Sequence, residues 1–135
     1  LATGREREWR HQKHLALQNA VSVSLNFLHE RIGVILDDVV STEEDLTFLV
    51  EGLQPSGVPI HHIRLLPSPA TALLRDSGRK DSRAGAARIA AVYAELSEWQ
   101  PAAVIDNSDL SPAEAADRLQ MLTTTGQSLV WAPGA

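Results

Sequence analysis

The sequence of 135 residues contains no cysteine, which excludes a disulfide framework, a thiolate zinc site and a cysteine nucleophile. Aromatic residues make up only 4% of the chain, so its core has to be built from Leu, Val, Ile and Ala. That composition suits helices packed on a parallel sheet. No apolar run approaches the roughly 18 residues of a membrane span, and the sequence does not start with a signal-peptide pattern. We therefore expect a cytoplasmic protein without a membrane partner.

Positive charge is the minority charge in this chain. Twelve Lys and Arg residues stand against 17 Asp and Glu residues, which gives a formal net charge of −5. An acidic chain is a poor general nucleic-acid binder, although a local basic patch still suits phosphate. The apolar share of 44% is typical of globular proteins. We expect one folded domain over residues 1–135 that has no nucleic-acid partner.

Short apolar runs alternate with helical patterns along the chain. The period of the apolar residues and the Pro, Gly and Ser signals between them predict both kinds of element. Strands are predicted at about 34–36, 59–66, 102–105 and 129–131, and helices at about 5–30, 41–53, 69–74, 84–99 and 112–125. This alternation predicts an α/β fold in which right-handed βαβ units build a parallel sheet.

Polar residues follow several of the predicted strands directly. In open parallel sheets, ligands bind beyond the carboxyl ends of the strands. This rule places the polar residues that follow the strands on one rim, together with Pro67; they are Asp37, Asp38, Asp106 and Asn107. We expect the functional site at that rim.

Asp37 and Asp38 close the apolar run 34–36. An apolar strand that ends in an acid is the Walker B arrangement, in which a carboxylate holds Mg²⁺ beside a bound triphosphate. Both acids are metal candidates, and Asp37 is the better one because it follows the apolar run directly. The alternative for Asp38 is that it caps a turn or contacts the missing first strand. The alternative is that the strand simply ends in a loop where Asp is common.

A basic segment at about 75–88 stands out in the acidic chain. It holds five positive charges and two acids, so it carries about +3 in total; the positive residues are Arg75, Arg79, Lys80, Arg83 and Arg88. The planar guanidinium group suits phosphate because it donates two hydrogen bonds and stays charged. The segment is interpreted as a lid over a nucleotide. The alternative is a solvated loop with weak local Arg–Asp pairs.

Asp106, Asn107 and Ser108 form the other polar cluster at a strand end. These residues are suited to contact a base or a ribose, and the alternative is that they only cap and turn the chain. The five histidines show no metal-ligand spacing. His61 and His62 are adjacent in a predicted strand and so face opposite sides of it.

Taken in order, these pieces resemble the P-loop kinases of the nucleoside, shikimate, gluconate and chloramphenicol phosphotransferase type. The resemblance runs from about Arg10 to Leu122 and rests on the segments 33–40, 63–69, 74–79 and 104–114. It implies a three-layer sandwich with a parallel sheet, and an ATP-dependent kinase that uses Mg²⁺ and acts on the hydroxyl group of a small molecule.

The resemblance also implies roles for the candidate residues. Asp37 organises Mg²⁺, while Arg75 and Arg79 cover ATP and touch the transferring phosphate, with Arg83 as a weaker candidate. The segment 106–109 flanks adenine. We therefore expect the carboxylate of Asp37 and these guanidinium groups to lie around one polyanion pocket.

One part of the family pattern is missing from this sequence. The phosphate-binding loop Gly-x-x-x-x-Gly-Lys-Ser/Thr does not occur, and the only lysines, Lys13 and Lys80, do not follow glycines in that pattern. The resemblance therefore predicts that the first strands, about 40–50 residues, are absent from this chain. A parallel sheet without its central strand exposes its edges and invites association, which leaves a homodimer open.

Two other functions stay open at this point. One is a non-catalytic, kinase-like remnant or interaction module that lacks the phosphate-binding loop. The other is a flavodoxin-like or receiver-like α/β domain, in which paired acids at a strand end also bind Mg²⁺. The lysine that such a domain carries at a late strand end has no match here.

Overall fold

A computed structural model describes residues 3–134 of the chain. These residues form five α-helices, one short 3₁₀ helix and four short β-strands. The elements follow one another as α1 (Gly4–His29), α2 (Glu43–Leu53), the 3₁₀ helix (Gln54–Ser56), β1 (Ile60–His61), β2 (Arg64–Leu65), α3 (Pro69–Ser77), α4 (Ala86–Ser97), β3 (Val104–Ile105), α5 (Pro112–Thr124) and β4 (Leu129–Trp131).

The protein is a mixed α/β protein, as the alternation of patterns predicts. Its strands form two sheets of two strands each, one from β1 and β4 and one from β2 and β3. Strands β2 and β3 are parallel, with Arg64 opposite Val104 and Leu65 opposite Ile105. The predicted strand 59–66 is divided into β1 and β2, whereas the predicted last strand is present as β4.

Within the described part of the chain, contacts divide the protein into two compact units. The first unit contains residues 3–40, 44–60 and 131–134, and the second contains residues 41–43 and 61–130. The expectation of one domain over residues 1–135 stays a prediction. None of the helices in residues 3–134 combines the length and the apolar character that crossing a membrane requires.

The core of the first unit lies between α1 and α2. Leu17 of α1 is only 2% exposed, and Leu49 and Leu53 of α2 are buried as well. The two helices approach closely at Gly52, because a Cβ atom there would lie 2.8 Å from Cγ1 of Val21. Apolar burial of this kind contributes most of the stability of a small unit.

The predicted buried strand at 34–36 is wrong. No residue from 33 to 40 makes a backbone–backbone hydrogen bond within the described part of the chain. Ile35 is 96% exposed and Leu36 is 41% exposed. A run of apolar residues becomes a buried parallel strand only when a neighbouring strand pairs with its backbone and helices cover its faces. Neither condition is met for this segment.

The second unit is organised around the parallel pair β2–β3. Its apolar core contains Leu96 of α4, Ile105 of β3 and Ala103, which precedes β3. Helix α3 begins as predicted, with the Ser68 side chain accepting a hydrogen bond from the backbone of the helix and a proline in the first turn. Helix α5 begins at the predicted position, with a capping box in which Ser111 and the residue three positions on bond reciprocally.

Candidate functional site

The candidate site lies in the second unit, where the chain leaves β2 and β3. The backbone N–H of Leu66 donates to the carbonyl of Ile105, so the two strands stay paired up to their carboxyl ends. From there the chain enters α3 on one side and the segment 106–111 on the other. Residues Ser68, Arg75, Tyr93, Asp106, Asn107 and Ser108 gather at this place and are called the carboxyl-end site below.

Ser108 links the two strand ends. Its hydroxyl accepts a hydrogen bond from the backbone N–H of Ser68 at 2.8 Å. The same hydroxyl donates to Oδ1 of Asp106, which also accepts the backbone N–H of Ser108 at 2.9 Å. These two hydrogen bonds, with the charge of Arg75, lower the pKa of the Asp106 carboxyl. Asp106 is therefore ionised at neutral pH and fixes the turn after β3.

Arg75 reaches this turn from the last turn of α3. Its Nη2 atom donates to the carbonyl oxygens of Asn107 at 2.8 Å and of Ser108 at 3.3 Å. The other guanidinium N–H groups make no hydrogen bond to a residue that the structure describes, and the side chain is exposed. The structure thus brings together Arg75 and the three residues that the sequence assigns to base or ribose contact.

Tyr93 of α4 completes the carboxyl-end site and is not among the candidate residues that the sequence analysis names. Its hydroxyl donates to the carbonyl oxygen of Pro67, the residue that follows the strand pair on the β2 side. Burial and the charge of Asp106 raise the pKa of Tyr93, and Arg75 opposes this shift. The phenol therefore stays protonated and pins the end of β2 to α4.

Asn107 supplies the one buried side-chain atom of this site that lacks a hydrogen-bond partner among the described residues. Its side-chain oxygen Oδ1 is buried and accepts no hydrogen bond there. A buried acceptor without a donor costs free energy, and a donor such as a base amino group or a ribose hydroxyl would relieve that cost. The oxygen has almost no accessible surface in this conformation, so a ligand reaches it only when the side chain or the turn moves.

Arg79 and Arg83, the other predicted phosphate ligands, lie between α3 and α4. They belong to residues 78–85, called the basic loop below. Arg79 and Arg83 are exposed, and both charges act on the carboxylate of Asp76. The predicted basic segment at about 75–88 is only partly a loop, because Arg75 lies in α3 and Arg88 lies in α4. The action of this segment as a lid stays a prediction.

The predicted metal ligands Asp37 and Asp38 lie in the first unit and differ in their contacts. Asp38 is paired with Lys13, whose Nζ lies 3.0 Å from Oδ2 and 2.9 Å from the carbonyl oxygen of Val39. Asp37 makes no hydrogen bond or ion pair within the described residues and is exposed. Its carboxylate is therefore the one that is free for a cation.

Among residues 3–134 there is no group of three or more His, Asp or Glu side chains that suits a metal ion. Mg²⁺ commonly binds one or two carboxylates and completes its octahedron with water and phosphate oxygens. A single free carboxylate at Asp37 is compatible with this mode of coordination. The meeting of Asp37 with Arg75 and Arg79 around one pocket stays a prediction.

A second polar cluster of this unit lies near the start of β2 and was missed by sequence reasoning. Arg64 is only 8% exposed, and its Nη1 donates to the carbonyl oxygens of Leu96 at 3.1 Å and Trp99 at 2.8 Å. Its guanidinium carbon lies 5.0 Å from the centroid of the Trp99 ring. Arg64 therefore satisfies carbonyl groups at the end of α4 and ties this helix to β2. A buried arginine inside a strand has no local sequence signal.

His62 packs on the same tryptophan, and its titration should make the stability of this unit depend on pH. Burial lowers the pKa of His62 below its usual 6.5, with a further contribution from the charge of Arg64. Below about pH 6.5 the His62 side chain of the unfolded chain binds a proton that the folded chain does not bind. The free energy of unfolding therefore falls as the pH falls from the pKa of the unfolded chain to the lower pKa of the folded chain.

Urea unfolding followed by Trp fluorescence at pH 7.5, 6.5 and 5.5 measures this effect. In the variant His62→Phe, which keeps an aromatic ring beside Trp99, we expect a clearly weaker loss of stability with falling pH. An identical loss in the parent and the variant would show that His62 does not cause it.

Comparisons with protein-family models, curated proteins and solved structures find no match to this chain.

Proposed function

We propose that the chain is part of an ATP-dependent phosphotransferase that phosphorylates a hydroxyl group of a small molecule. The fold we propose for the functional protein is a three-layer sandwich with a parallel sheet, of the P-loop kinase type. The substrates are then a nucleotide and a small molecule, and Mg²⁺ accompanies the nucleotide.

The observation that carries this proposal is the position of Arg75 at the carboxyl ends of a parallel strand pair. Ligands of open α/β sheets bind at this edge. An exposed guanidinium group there, with N–H groups left over after its bonds to Asn107 and Ser108, suits a phosphate group. The neighbouring buried acceptor of Asn107 suits a base or a ribose.

Each candidate residue has one role in this proposal. Arg75 and Arg79 neutralise the phosphate that is transferred, and Arg83 supports them. The segment 106–108 contacts the nucleoside, and Asp37 holds Mg²⁺. In the reaction, the acceptor oxygen forms a bond to the γ-phosphorus, the bond to the bridging oxygen breaks, ADP leaves, and the hydroxyl proton passes to the solvent.

A second candidate function is nucleotide binding without phosphoryl transfer. It needs only the contacts of Arg75 and Asn107 at the strand ends, which are adjacent in the second unit. Both functions need the carboxyl-end site, and only the first needs Mg²⁺ for turnover.

The two acids at 37 and 38 offer a matched test of the first function. In the complete protein, ATP turnover is measured against Mg²⁺ concentration for the variants Asp37→Asn and Asp38→Asn. Asp37→Asn should raise the Mg²⁺ concentration at half-maximal rate by about tenfold or more, because it removes the free carboxylate. Asp38→Asn should change it less, because Asp38 is already paired with Lys13.

An effect of equal size in both variants, or a larger effect in Asp38→Asn, would contradict the metal assignment. Binding of Mg·ATP without any turnover in the parent would favour the second function.

A further inference from the structure

The basic loop between α3 and α4 is held together by one carboxylate. Oδ1 of Asp76 accepts the backbone N–H of Ala84 at 2.8 Å, and Oδ2 accepts the backbone N–H of Gly85 at 3.0 Å. The carbonyl oxygen of Asp76 accepts the backbone N–H of Arg79. A residue of α3 thus bonds to both ends of the loop.

This carboxylate is buried and charged. Asp76 is 9% exposed, although it is a side chain of an otherwise exposed helix end. The two backbone N–H groups, with the charges of Arg79 and Arg83, lower the pKa of Asp76. Hydrogen bonds between backbone N–H groups and a carboxylate are about twice as strong as neutral ones, so this contact fixes the loop more firmly than its exposure suggests.

The loop needs such a contact because its backbone is not relaxed. Ser82 has a φ of 57° and Gly85 has a φ of 84°, both in the left-handed region. A residue other than glycine, here Ser82, adopts this region only at a cost in conformational free energy. The hydrogen bonds of Asp76 to Ala84 and Gly85 hold the end of the loop against the first turn of α4.

The two arginines of the basic loop differ in their hydrogen bonds. Nε of Arg83 donates to the carbonyl oxygen of Arg79 and so helps to close the loop. The guanidinium group of Arg79 makes no hydrogen bond to a described residue, and its side chain is exposed. Both side chains are exposed, and Arg79 is the one whose guanidinium group makes no hydrogen bond to the described residues.

We propose that Asp76 is a positioning residue, which keeps the basic loop in one closed conformation and thereby fixes Arg79 for contact with a phosphate group. This inference rests on the proposed function for the identity of the anion. The closed loop itself rests only on the hydrogen bonds of Asp76.

The loop conformation is tested by limited digestion with trypsin, because Arg79 and Arg83 are both cleavage sites. Mass spectrometry gives the rate of cleavage after each residue in the parent and in Asp76→Ala. Cleavage should become about tenfold faster in the variant, because a protease cuts the open state and the variant opens more often. Asp76→Asn should act in the same direction, because its amide oxygen replaces only one of the two acceptors.

Asp81→Ala is the matched control, since it removes a carboxylate from the same loop that makes no hydrogen bond or ion pair to a described residue. Its cleavage rate should stay within about twofold of the parent. Equal cleavage rates in the parent, Asp76→Ala and Asp76→Asn would show that Asp76 does not keep the loop closed.

The action of Asp76 through Arg79 is tested by binding of inorganic tripolyphosphate, measured by calorimetry in four proteins: the parent, Asp76→Ala, Arg79→Ala and the double variant. Each single variant should bind about tenfold more weakly, and the double variant should bind no more weakly than Arg79→Ala alone. A purely structural role of Asp76 would instead give additive losses in the double variant.

Additive losses, or no loss in Asp76→Ala, would overturn the positioning role even when the parent binds tripolyphosphate. A parent that does not bind tripolyphosphate would overturn both the proposed function and the role of Arg79. The digestion experiment then still shows whether Asp76 keeps the loop closed. A failure of the proposed function is therefore distinguishable from a failure of the role of Asp76.

Discussion

The variant Arg75→Ala should bind Mg·ATP about a hundredfold more weakly than the parent, because a charge-assisted hydrogen bond to phosphate is lost and the turn after β3 is released as well. Arg75 carries both contributions. Its Nη2 atom holds the carbonyl oxygens of Asn107 and Ser108, while the rest of the guanidinium group is free for a ligand. The affinity is measured by calorimetry in the complete protein.

Two further variants identify the cause of that loss. Arg75→Lys keeps the positive charge and removes the planar fork, so it should recover only part of the affinity. Arg118→Ala removes a positive charge from α5 of the same unit and should change the affinity less than twofold, because it lies outside the carboxyl-end site. Equal affinity of Arg75→Ala and the parent would remove Arg75 from the site.

The variant Leu17→Ala should have the largest effect on stability, with a loss of about 2–5 kcal/mol in the free energy of unfolding. Leu17 is 2% exposed, which makes it the most buried apolar side chain among the described residues. Its truncation removes apolar contacts and leaves a cavity inside the first unit. Urea unfolding followed by circular dichroism measures the change.

Leu15→Ala is the matched control on the same helix, since Leu15 is 44% exposed. Its loss should stay below about 1 kcal/mol, because surface truncations that leave no cavity cost little. Equal losses in the two variants would contradict the orientation of α1 in the first unit.

Local signals predicted the helix boundaries of this chain better than they predicted its strands. Ser68 followed by proline, and Ser111 followed by proline and a glutamate, identify two helix starts because a cap is made within four residues. The apolar segment 34–36 carries the same composition as a buried strand, yet Ile35 is 96% exposed. A strand depends on a partner elsewhere in the chain, which a local pattern does not contain.

The residues of the candidate site likewise include some that the sequence indicated and some that it did not. The rule that ligands bind at the carboxyl ends of parallel strands was sufficient to select Asp106 and Asn107, and the basic segment selected Arg75. The roles of Tyr93 and Asp76 follow from side-chain hydrogen bonds to backbone groups. The partner of Tyr93 lies 26 residues away in the sequence, and the nearer partner of Asp76 lies 8 residues away. Such contacts exist only after the chain has folded, so spacing in the sequence does not reveal them.

The most direct test of the carboxyl-end site is a titration of the ¹⁵N-labelled complete protein with Mg·ATP, followed by amide chemical shifts. The shifts should concentrate on the backbone amides of Ser68, Asn107 and Ser108 and on the Nε resonance of Arg75. The amides of His61 and Leu129, which belong to the other sheet, should move little. Shifts confined to residues outside the carboxyl-end site, or no shifts at millimolar nucleotide, would contradict the account.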